Sequence, residues 1–254
     1  MTEKEIIRHI NDGADYYVSL FGQAEHMEKI ETESYSYVKP KGDAYGISLV
    51  YHVCLDHLPK EKQQAVISEI KALDMPVWFD LTASDEAFRS FFGREKMHGQ
   101  RVFAEDDEVY LALLPNEKHD FPAQERPVIR VNTAEAFAVW AELCNDVLSD
   151  GLQDLHPEYH YPLCQKGLME CYLLFDGQHP ASACAILNHQ GIASLEFVAT
   201  KPALRRKGYA KAVCAAAIDA AFAQNAKIIT VRAANAAASQ LYQSLGFRVY
   251  NYAL

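Results

Sequence analysis

The run RRKGYA at residues 205–210 places three cations directly before a glycine, where an apolar strand pattern gives way to an alanine-rich helix pattern. Positive charge at a helix N-terminus opposes the helix dipole, so helix stability alone does not explain the run. Successive backbone N–H groups at a helix start can converge on a phosphate, and Gly208 allows the anion to approach closely. The run therefore predicts a phosphate-binding turn, with a basic surface turn or a nucleic-acid patch as alternatives.

Two polar residues with a defined spacing follow this helix pattern. The stretch N-x6-Y-x3-GF begins at Asn235, reaches Tyr242 and ends at Gly246 and Phe247. Asn235 is a favourable residue for capping the last helix. A phenol such as that of Tyr242 can donate a proton, and the alternative is that the ring only packs against its neighbours.

Together, EFVATKPALRRKGYAKAV (residues 196–213) and N-x6-Y-x3-GF resemble the cofactor signature of the GCN5-related N-acetyltransferase (GNAT) family. The resemblance extends over roughly residues 128–254, because the order of strands and helices before the signature also matches. Neither the GxGxxG pattern of dinucleotide-binding folds nor the GxxxxGK[ST] pattern of P-loop proteins is present. The resemblance implies acetyl-CoA as the acetyl donor and an amine as the acceptor.

This family resemblance assigns roles to individual residues of the signature. It implies a splayed strand whose backbone pairs with the pantetheine arm of the cofactor, formed by Phe197, Val198, Ala199 and Thr200. It implies that the cofactor phosphates bind at the turn and helix start formed by Arg205, Arg206, Lys207, Gly208, Tyr209, Ala210 and Lys211. It further implies that Asn235 contacts the cofactor arm, which is compatible with capping, and that Tyr242 contacts the cofactor and protonates its thiolate.

Glu196 is the candidate general base. An acceptor that arrives as an ammonium ion must lose a proton before it attacks a thioester, so a nearby carboxylate or water molecule would assist. Glu196 shares one face of its predicted strand with Val198 and Thr200. It lies one pleat away from the position at which some members of the family carry a glutamate. The alternative is that Glu196 is an ordinary polar strand residue.

The stretch from His156 to His160, HPEYH, carries two histidines four residues apart. Pro157 and the lack of a clear third ligand argue against a metal site, and the pattern is not HExxH. The family resemblance implies that this segment walls the acceptor site. Tyr159, His160 and Tyr161 are therefore candidate acceptor contacts, and a plain surface loop is the alternative.

The 254-residue chain is acidic, with 24 Lys+Arg, 34 Asp+Glu and a net charge of −10. The excess lies in residues 1–126, which hold 14 cationic and 24 acidic residues, while residues 127–254 hold 10 of each. This distribution argues against nucleic-acid binding and is compatible with a solvated surface or with attraction of a cationic acceptor.

The six cysteines form no CxxC pair, which predicts reduced thiols. No signal peptide and no apolar run of about 20 residues are readable, which predicts a cytoplasmic protein without a membrane segment.

Sequence periodicity predicts a mixture of strands and helices. The family resemblance implies a mixed α/β fold, with a largely antiparallel central sheet flanked by helices. The proline-rich segment 115–127 divides the chain into an N-terminal domain, residues 1–126, and a catalytic GNAT domain, residues 127–254. In the first domain, the segment that corresponds to the phosphate-binding turn, LDHLPKEKQQAV, has no glycine. The strand VWFDL followed by SDEAFRSFFG nevertheless echoes the end of the chain. The first domain is therefore predicted to be a degenerate GNAT-like copy that binds no CoA and helps to enclose the acceptor site.

These residues predict an acetyl-CoA-dependent N-acyltransferase that acts by direct attack of a primary amine, from a small molecule or a peptide, and uses no metal. No cysteine lies at a catalytic position of the family, which argues against a cysteine-linked intermediate. The alternative function is a non-catalytic acyl-CoA-binding regulatory protein.

Trp78 and Trp140 lie in apolar patterns and are predicted to be core residues.

Overall fold

The computed structural model describes residues 1–44, 46–55, 57–78, 109–119, 127–148 and 155–250. The N-terminal part contains an antiparallel three-stranded sheet between two helices: α1 (Glu3–Phe21), β1 (Met27–Glu31), β2 (Ser36–Pro40), β3 (Leu49–Tyr51) and α2 (Lys60–Leu73). The hydroxyl of Thr2 accepts a hydrogen bond from the Glu5 N–H, and the Glu5 carboxylate accepts one from the Thr2 N–H at 2.6 Å. The start of α1 is therefore closed by a capping box, which the pattern T-x-x-E at residues 2–5 of the sequence predicts.

Seven strands form the main sheet, in the order β10-β4-β9-β8-β7-β6-β5. They are β4 (Val109–Leu113), β5 (Val128–Arg130), β6 (Met169–Asp176), β7 (His179–His189), β8 (Ile192–Thr200), β9 (Ile228–Ala233) and β10 (Arg248–Val249). Every neighbouring pair is antiparallel except β8 and β9, which are parallel. The predicted mixed and largely antiparallel sheet is therefore confirmed.

Helices cover both faces of the main sheet. They are α3 (Ala134–Leu148), α4 (Pro157–Gln165), α5 (Tyr209–Ala223) and α6 (Ala236–Gln243). Along β6, Cys171 and Leu173 pack on the side of α3 and α4, whereas Tyr172 and Leu174 pack on the side of α5 and α6, as the two-residue period of a strand requires. Trp140 of α3 is fully buried and donates its indole N–H to the Cys184 carbonyl at 3.0 Å. The prediction of Trp140 as a core residue is confirmed.

Two elements from the N-terminal part complete this sheet. Strand β4 lies between β9 and β10 and pairs antiparallel with both, so it satisfies the backbone groups on the edge of β9 that faces away from β8. Helix α1 packs Ile6 and Ile10 against Ala112, Ile192 and Ile228. The sheet is therefore not confined to the predicted C-terminal domain. The boundary at residue 126, and the interpretation of the first part as a degenerate GNAT copy, stay predictions.

Some elements differ from those that the sequence pattern predicts. The pattern predicts strands near 32–38 and 45–55, and the structure has the shorter β2 and β3 there. The pattern predicts turns over residues 149–163, but this segment contains most of helix α4. Pro157 occupies the first turn of α4, where no backbone N–H is needed. The helix that the pattern predicts at 84–93 lies outside the described residues. No helix in the described ranges combines the length and the apolar character that crossing a membrane requires.

Candidate active site

A β-bulge near the end of β8 is the central feature of the candidate site. The register between β7 and β8 shifts so that Phe197 and Val198 together occupy the span opposite Cys184. Phe197 has a φ of +54°, in the left-handed region that residues with a side chain rarely adopt. Its ring packs edge-on against Trp140 and Phe21, with centroid distances of 5.4 and 5.9 Å. This packing holds the bulge in place.

The parallel ladder between β8 and β9 stops early. It pairs only Ile192–Ser194 with Ile228–Thr230, although both strands continue for several residues. Beyond the ladder, β9 remains paired with β4 on its other edge. The stretch Phe197–Thr200 is predicted to bind the cofactor arm. Among the described residues, no strand pairs with this stretch on the edge of β8 that faces β9. An exposed strand edge of this kind can accept an extended ligand as an added strand.

The basic turn leads directly into helix α5, as predicted. Gly208 is the N-cap residue, with a φ of +83°, and a Cβ atom added there would meet no atom within 4 Å. No described side chain caps the N-terminus of α5, so its positive dipole end has no capping acceptor. The side chains of Arg205, Arg206 and Lys207 are exposed around it. Open space, an uncapped helix start and surrounding cations together suit an anion.

Asn235 and Tyr242 occupy the start and the inner side of α6. The Asn235 Oδ1 accepts a hydrogen bond from the Ala238 N–H at 2.9 Å, so the capping role is present. Tyr242 is only 5% exposed, and its ring lies 5.9 Å from that of Phe247. Burial raises the pKa of Tyr242 well above its usual value, and Cys214 and Glu196 raise it further. The phenol therefore keeps its proton at neutral pH, which a proton donor requires.

Glu196 is held by two hydrogen-bond donors. The Ser194 hydroxyl donates to its Oε1, and Nη2 of Arg232 donates to its Oε2 at 3.2 Å. Both charged side chains are largely buried, with 10% of Glu196 and 13% of Arg232 exposed. The Arg232 guanidinium lies 4.1 Å from the ring centroid of Trp78 and 4.9 Å from that of Tyr17. Two aromatic rings of the N-terminal part thus contact a charged residue of β9.

A cavity of about 310 Å³ lies where β8 and β9 separate. Five of the residues predicted from the sequence line it: Glu196, Phe197, Val198, Asn235 and Tyr242. The N-terminal part contributes another wall, composed of Tyr17, Ile47, Ser48, Leu49, Pro76 and Trp78. One cavity therefore brings together the candidate acid, the candidate base, the bulged strand and residues from both parts of the chain.

A cysteine also lines this cavity. The Cys144 thiol donates a weak hydrogen bond to the Phe197 carbonyl at 3.8 Å. Burial raises the pKa of Cys144 well above its ordinary value. Because the thiolate is the nucleophilic form of cysteine, this protonated thiol gives no support to a cysteine-linked intermediate.

The three candidate acceptor contacts on α4 do not line the cavity. His160 is 1% exposed, and its Nδ1 accepts a hydrogen bond from the His156 N–H at 2.9 Å. The Tyr161 hydroxyl donates to the Asn132 carbonyl, and the Tyr159 ring lies 4.0 Å from that of His26. These contacts are structural, and the plain-loop alternative is wrong because the segment is helical. Within the described ranges, no three His, Cys, Asp or Glu side chains are arranged to hold a metal ion.

Sequence reasoning missed the cluster formed by Tyr17, Trp78 and Arg232. Trp78 was predicted to be a simple core residue, but it is only partly buried and lines the cavity. The one available signal was Arg232, which is the single charged residue in the apolar strand IITVRA. Tyr17 lies one position after the buried Tyr16 of α1, and nothing in the helix pattern distinguishes it.

Comparison with protein-family models gives one match, which covers part of the chain. Residues 136–247 match the Acetyltransferase (GNAT) family. The chain therefore contains a GNAT acetyltransferase domain, as the signature residues predicted. No curated protein sequence matches the chain.

Two solved structures resemble the chain over nearly its full length. A GCN5-related N-acetyltransferase from Kribbella flavida has a TM-score of 0.59 at 15% identity, covering 93% of this chain and 91% of that one. A GCN5-related N-acetyltransferase-like protein from Streptococcus suis 89/1591 has a TM-score of 0.51 at 11% identity, covering 98% of this chain and 97% of that one. At these identities the likeness concerns the fold, and it extends to the N-terminal part.

His160 should make the protein less stable at acid pH. Burial lowers the pKa of His160 from 6.5 to about 4, so between these values the unfolded chain binds a proton that the native chain does not. Through this residue, the free energy of unfolding should fall by about 2 kcal/mol from pH 7 to pH 5. We expect His160→Asn to remove that part of the fall, as measured by urea unfolding at both pH values. His179→Asn, which changes an exposed histidine, should retain it, and an undiminished fall in His160→Asn would contradict the argument.

Gly208 and Gly167 form a matched pair for testing the basic turn. Both have positive φ, +83° and +70°, and a Cβ at either would meet no atom within 4 Å. Alanine should therefore impose a similar strain of about 1–2 kcal/mol at each. Only Gly208→Ala should weaken CoA binding, by about 10-fold or more, because its methyl group would occupy the approach to the helix start. Calorimetric CoA titrations beside melting curves measure both effects, and equal affinities of the two variants would remove the turn from the CoA site.

Proposed function

We propose that this protein is an acetyl-CoA-dependent N-acetyltransferase that transfers an acetyl group to the primary amine of a small molecule or peptide by direct attack. The observation that carries the proposal is the cavity at the separation of β8 and β9, where a bulged strand, a buried phenol and a carboxylate meet. The family match at residues 136–247 supports acetyl transfer in general.

Acetyl-CoA would bind mainly through backbone groups. The edge of β8 at Phe197–Thr200 would pair with the amides of the pantetheine arm, and the turn and helix start at 205–211 would bind the phosphates. The open space at Gly208 and the uncapped start of α5 support this fit. The exposed cations of the turn add favourable charge. Asn235 would contact the arm while it caps α6, and its place in the cavity wall supports this role.

Tyr242 would act as the general acid. As the amine nitrogen forms its bond to the acetyl carbon and the carbon–sulfur bond breaks, the phenol would give its proton to the departing sulfur. A proton shed by the nitrogen would restore the phenol. The raised pKa of Tyr242 supports this role, because it keeps the phenol protonated until negative charge develops on sulfur.

Glu196 would receive the first proton of the acceptor ammonium, directly or through a water molecule. Both of its oxygens already accept a hydrogen bond, from Ser194 and from Arg232. Each carboxylate oxygen has two lone pairs, so an ammonium N–H can be accepted beside these contacts. The placement of Glu196 in the wall of the same cavity as Tyr242 supports the pairing of a base with an acid.

The decisive experiment measures turnover by the full chain. Acetyl-CoA and a panel of primary amines are incubated with the protein, and free CoA thiol is followed over time. We expect thiol release that depends on a particular amine. Binding of CoA without release from any amine would favour a non-catalytic acyl-CoA-binding protein, and no CoA binding at sub-millimolar concentration would exclude both functions.

Tyr242→Phe separates the acid role from a packing role. Loss of a proton donor should lower kcat by about 10²–10⁴-fold and leave CoA affinity nearly unchanged. Tyr172→Phe is the matched control, since Tyr172 is also 5% exposed but does not line the cavity. We expect this control to keep its kcat and to lose less than about 1.5 kcal/mol of stability. A folded, CoA-binding Tyr242→Phe variant with unchanged kcat, where chemistry limits the rate, would rule out the acid role.

A further inference from the structure

Among the described residues that line the cavity, only Glu196 and Arg232 carry charge. The rest of this wall consists of apolar, aromatic and neutral polar side chains. The two charged residues lie on neighbouring strands, β8 and β9, just beyond the point where the parallel ladder stops. A ligand entering the gap between the strands would therefore meet one negative and one positive group side by side.

Fold stability is a weak explanation for this ion pair. Removing two charges from water has a desolvation penalty that their mutual attraction often fails to offset. The Glu196 and Arg232 side chains retain 10% and 13% exposure, and both line the cavity. An ion pair that is costly to bury and lies in a ligand cavity is better explained by recognition of a ligand.

We infer that the acceptor is an α-amino acid, whose carboxylate binds Arg232 and whose ammonium group binds Glu196. This inference rests on the proposed acetyltransferase function and specifies its substrate class. Nη2 of Arg232 and Oε2 of Glu196 are 3.2 Å apart. The two charges of an α-amino acid are carried by groups on one carbon atom, so the zwitterion can lie against the pair with each charge opposite its counterpart.

This orientation places the reacting nitrogen correctly. The amine lies at Glu196, the candidate base, in the same cavity as Tyr242, the candidate acid. The side chain of the amino acid points away from the ion pair, towards the apolar and aromatic remainder of the cavity wall. Carboxylate recognition and deprotonation of the amine are thus performed by two adjacent residues.

Arg232 is oriented for carboxylate binding by the N-terminal part. The rings of Trp78 and Tyr17, at 4.1 and 4.9 Å from the guanidinium, restrict how it can turn. A guanidinium carries five N–H donors in one plane, and the described contact with Glu196 involves Nη2. A planar fork of donors matches a carboxylate better than a lysine ammonium would. Specificity for an acidic group would therefore depend on residues outside the GNAT domain.

Matched acceptor pairs test this inference. Each amino acid of a panel is compared with its own carboxamide, which keeps the amine and side chain and removes only the negative charge. We expect the best amino acid to exceed its amide in kcat/KM by about 10- to 100-fold, the effect of a charged hydrogen bond. Arg232→Gln should bring this ratio close to 1, and Arg232→Lys should give an intermediate ratio. A wild-type ratio near or below 1 across the panel, or an unchanged ratio in Arg232→Gln, would overturn the inference.

A binding measurement distinguishes this inference from the acetyltransferase proposal. The same acid and amide pairs are titrated into the CoA-saturated protein, and tryptophan fluorescence is followed because Trp78 contacts Arg232. If no amine releases thiol, the acetyltransferase proposal fails, and the binding comparison still decides the acceptor class. Tighter binding of acids than amides, reduced in Arg232→Lys, supports the inference. Equal binding, or no binding of any amino acid, overturns it even if Arg232→Gln does not fold.

Discussion

The bulge in β8 is the constraint on which the site depends. Because Phe197 and Val198 occupy the place of one residue, β8 leaves its parallel register with β9 and a gap opens between two strands of one sheet. The left-handed backbone at Phe197 carries a steric cost, which packing by Trp140 and Phe21 offsets. The free strand edge, the cavity and the neighbouring position of the Glu196 side chain all follow from this one deformation.

The N-terminal part contributes to the chemistry as well as to the fold. Helix α1 packs on the main sheet and places Tyr17 beside Arg232, while Trp78 contacts both the Tyr17 ring and the same guanidinium. The GNAT domain supplies the elements proposed to bind the donor, and the wall facing them comes from a different part of the chain. A family defined by its donor site can in this way acquire new acceptors by changing the part that covers the cavity.

Local sequence patterns predicted those parts of the structure that local forces determine. Gly208 was identifiable because a tight turn into a helix favours glycine, and Asn235 because an asparagine side chain caps a helix start. The helix that carries His160 was not predicted, because a short segment rich in proline, histidine and tyrosine has the composition of a polar turn. The contact between Arg232 and Trp78 could not be predicted, since it joins distant segments through tertiary packing, and no local pattern encodes such a contact.

The position of β4 has a consequence for how the chain is made. The ribosome synthesises β4 well before β9 and β10, the two strands between which it lies. Leu111, Ala112 and Leu113 are almost completely buried in the finished sheet, so the nascent chain must shield an apolar strand until its partners emerge. An unpaired strand edge is also a template for pairing with other chains. The main sheet thus depends for its completion on a segment that is translated before the strands it pairs with.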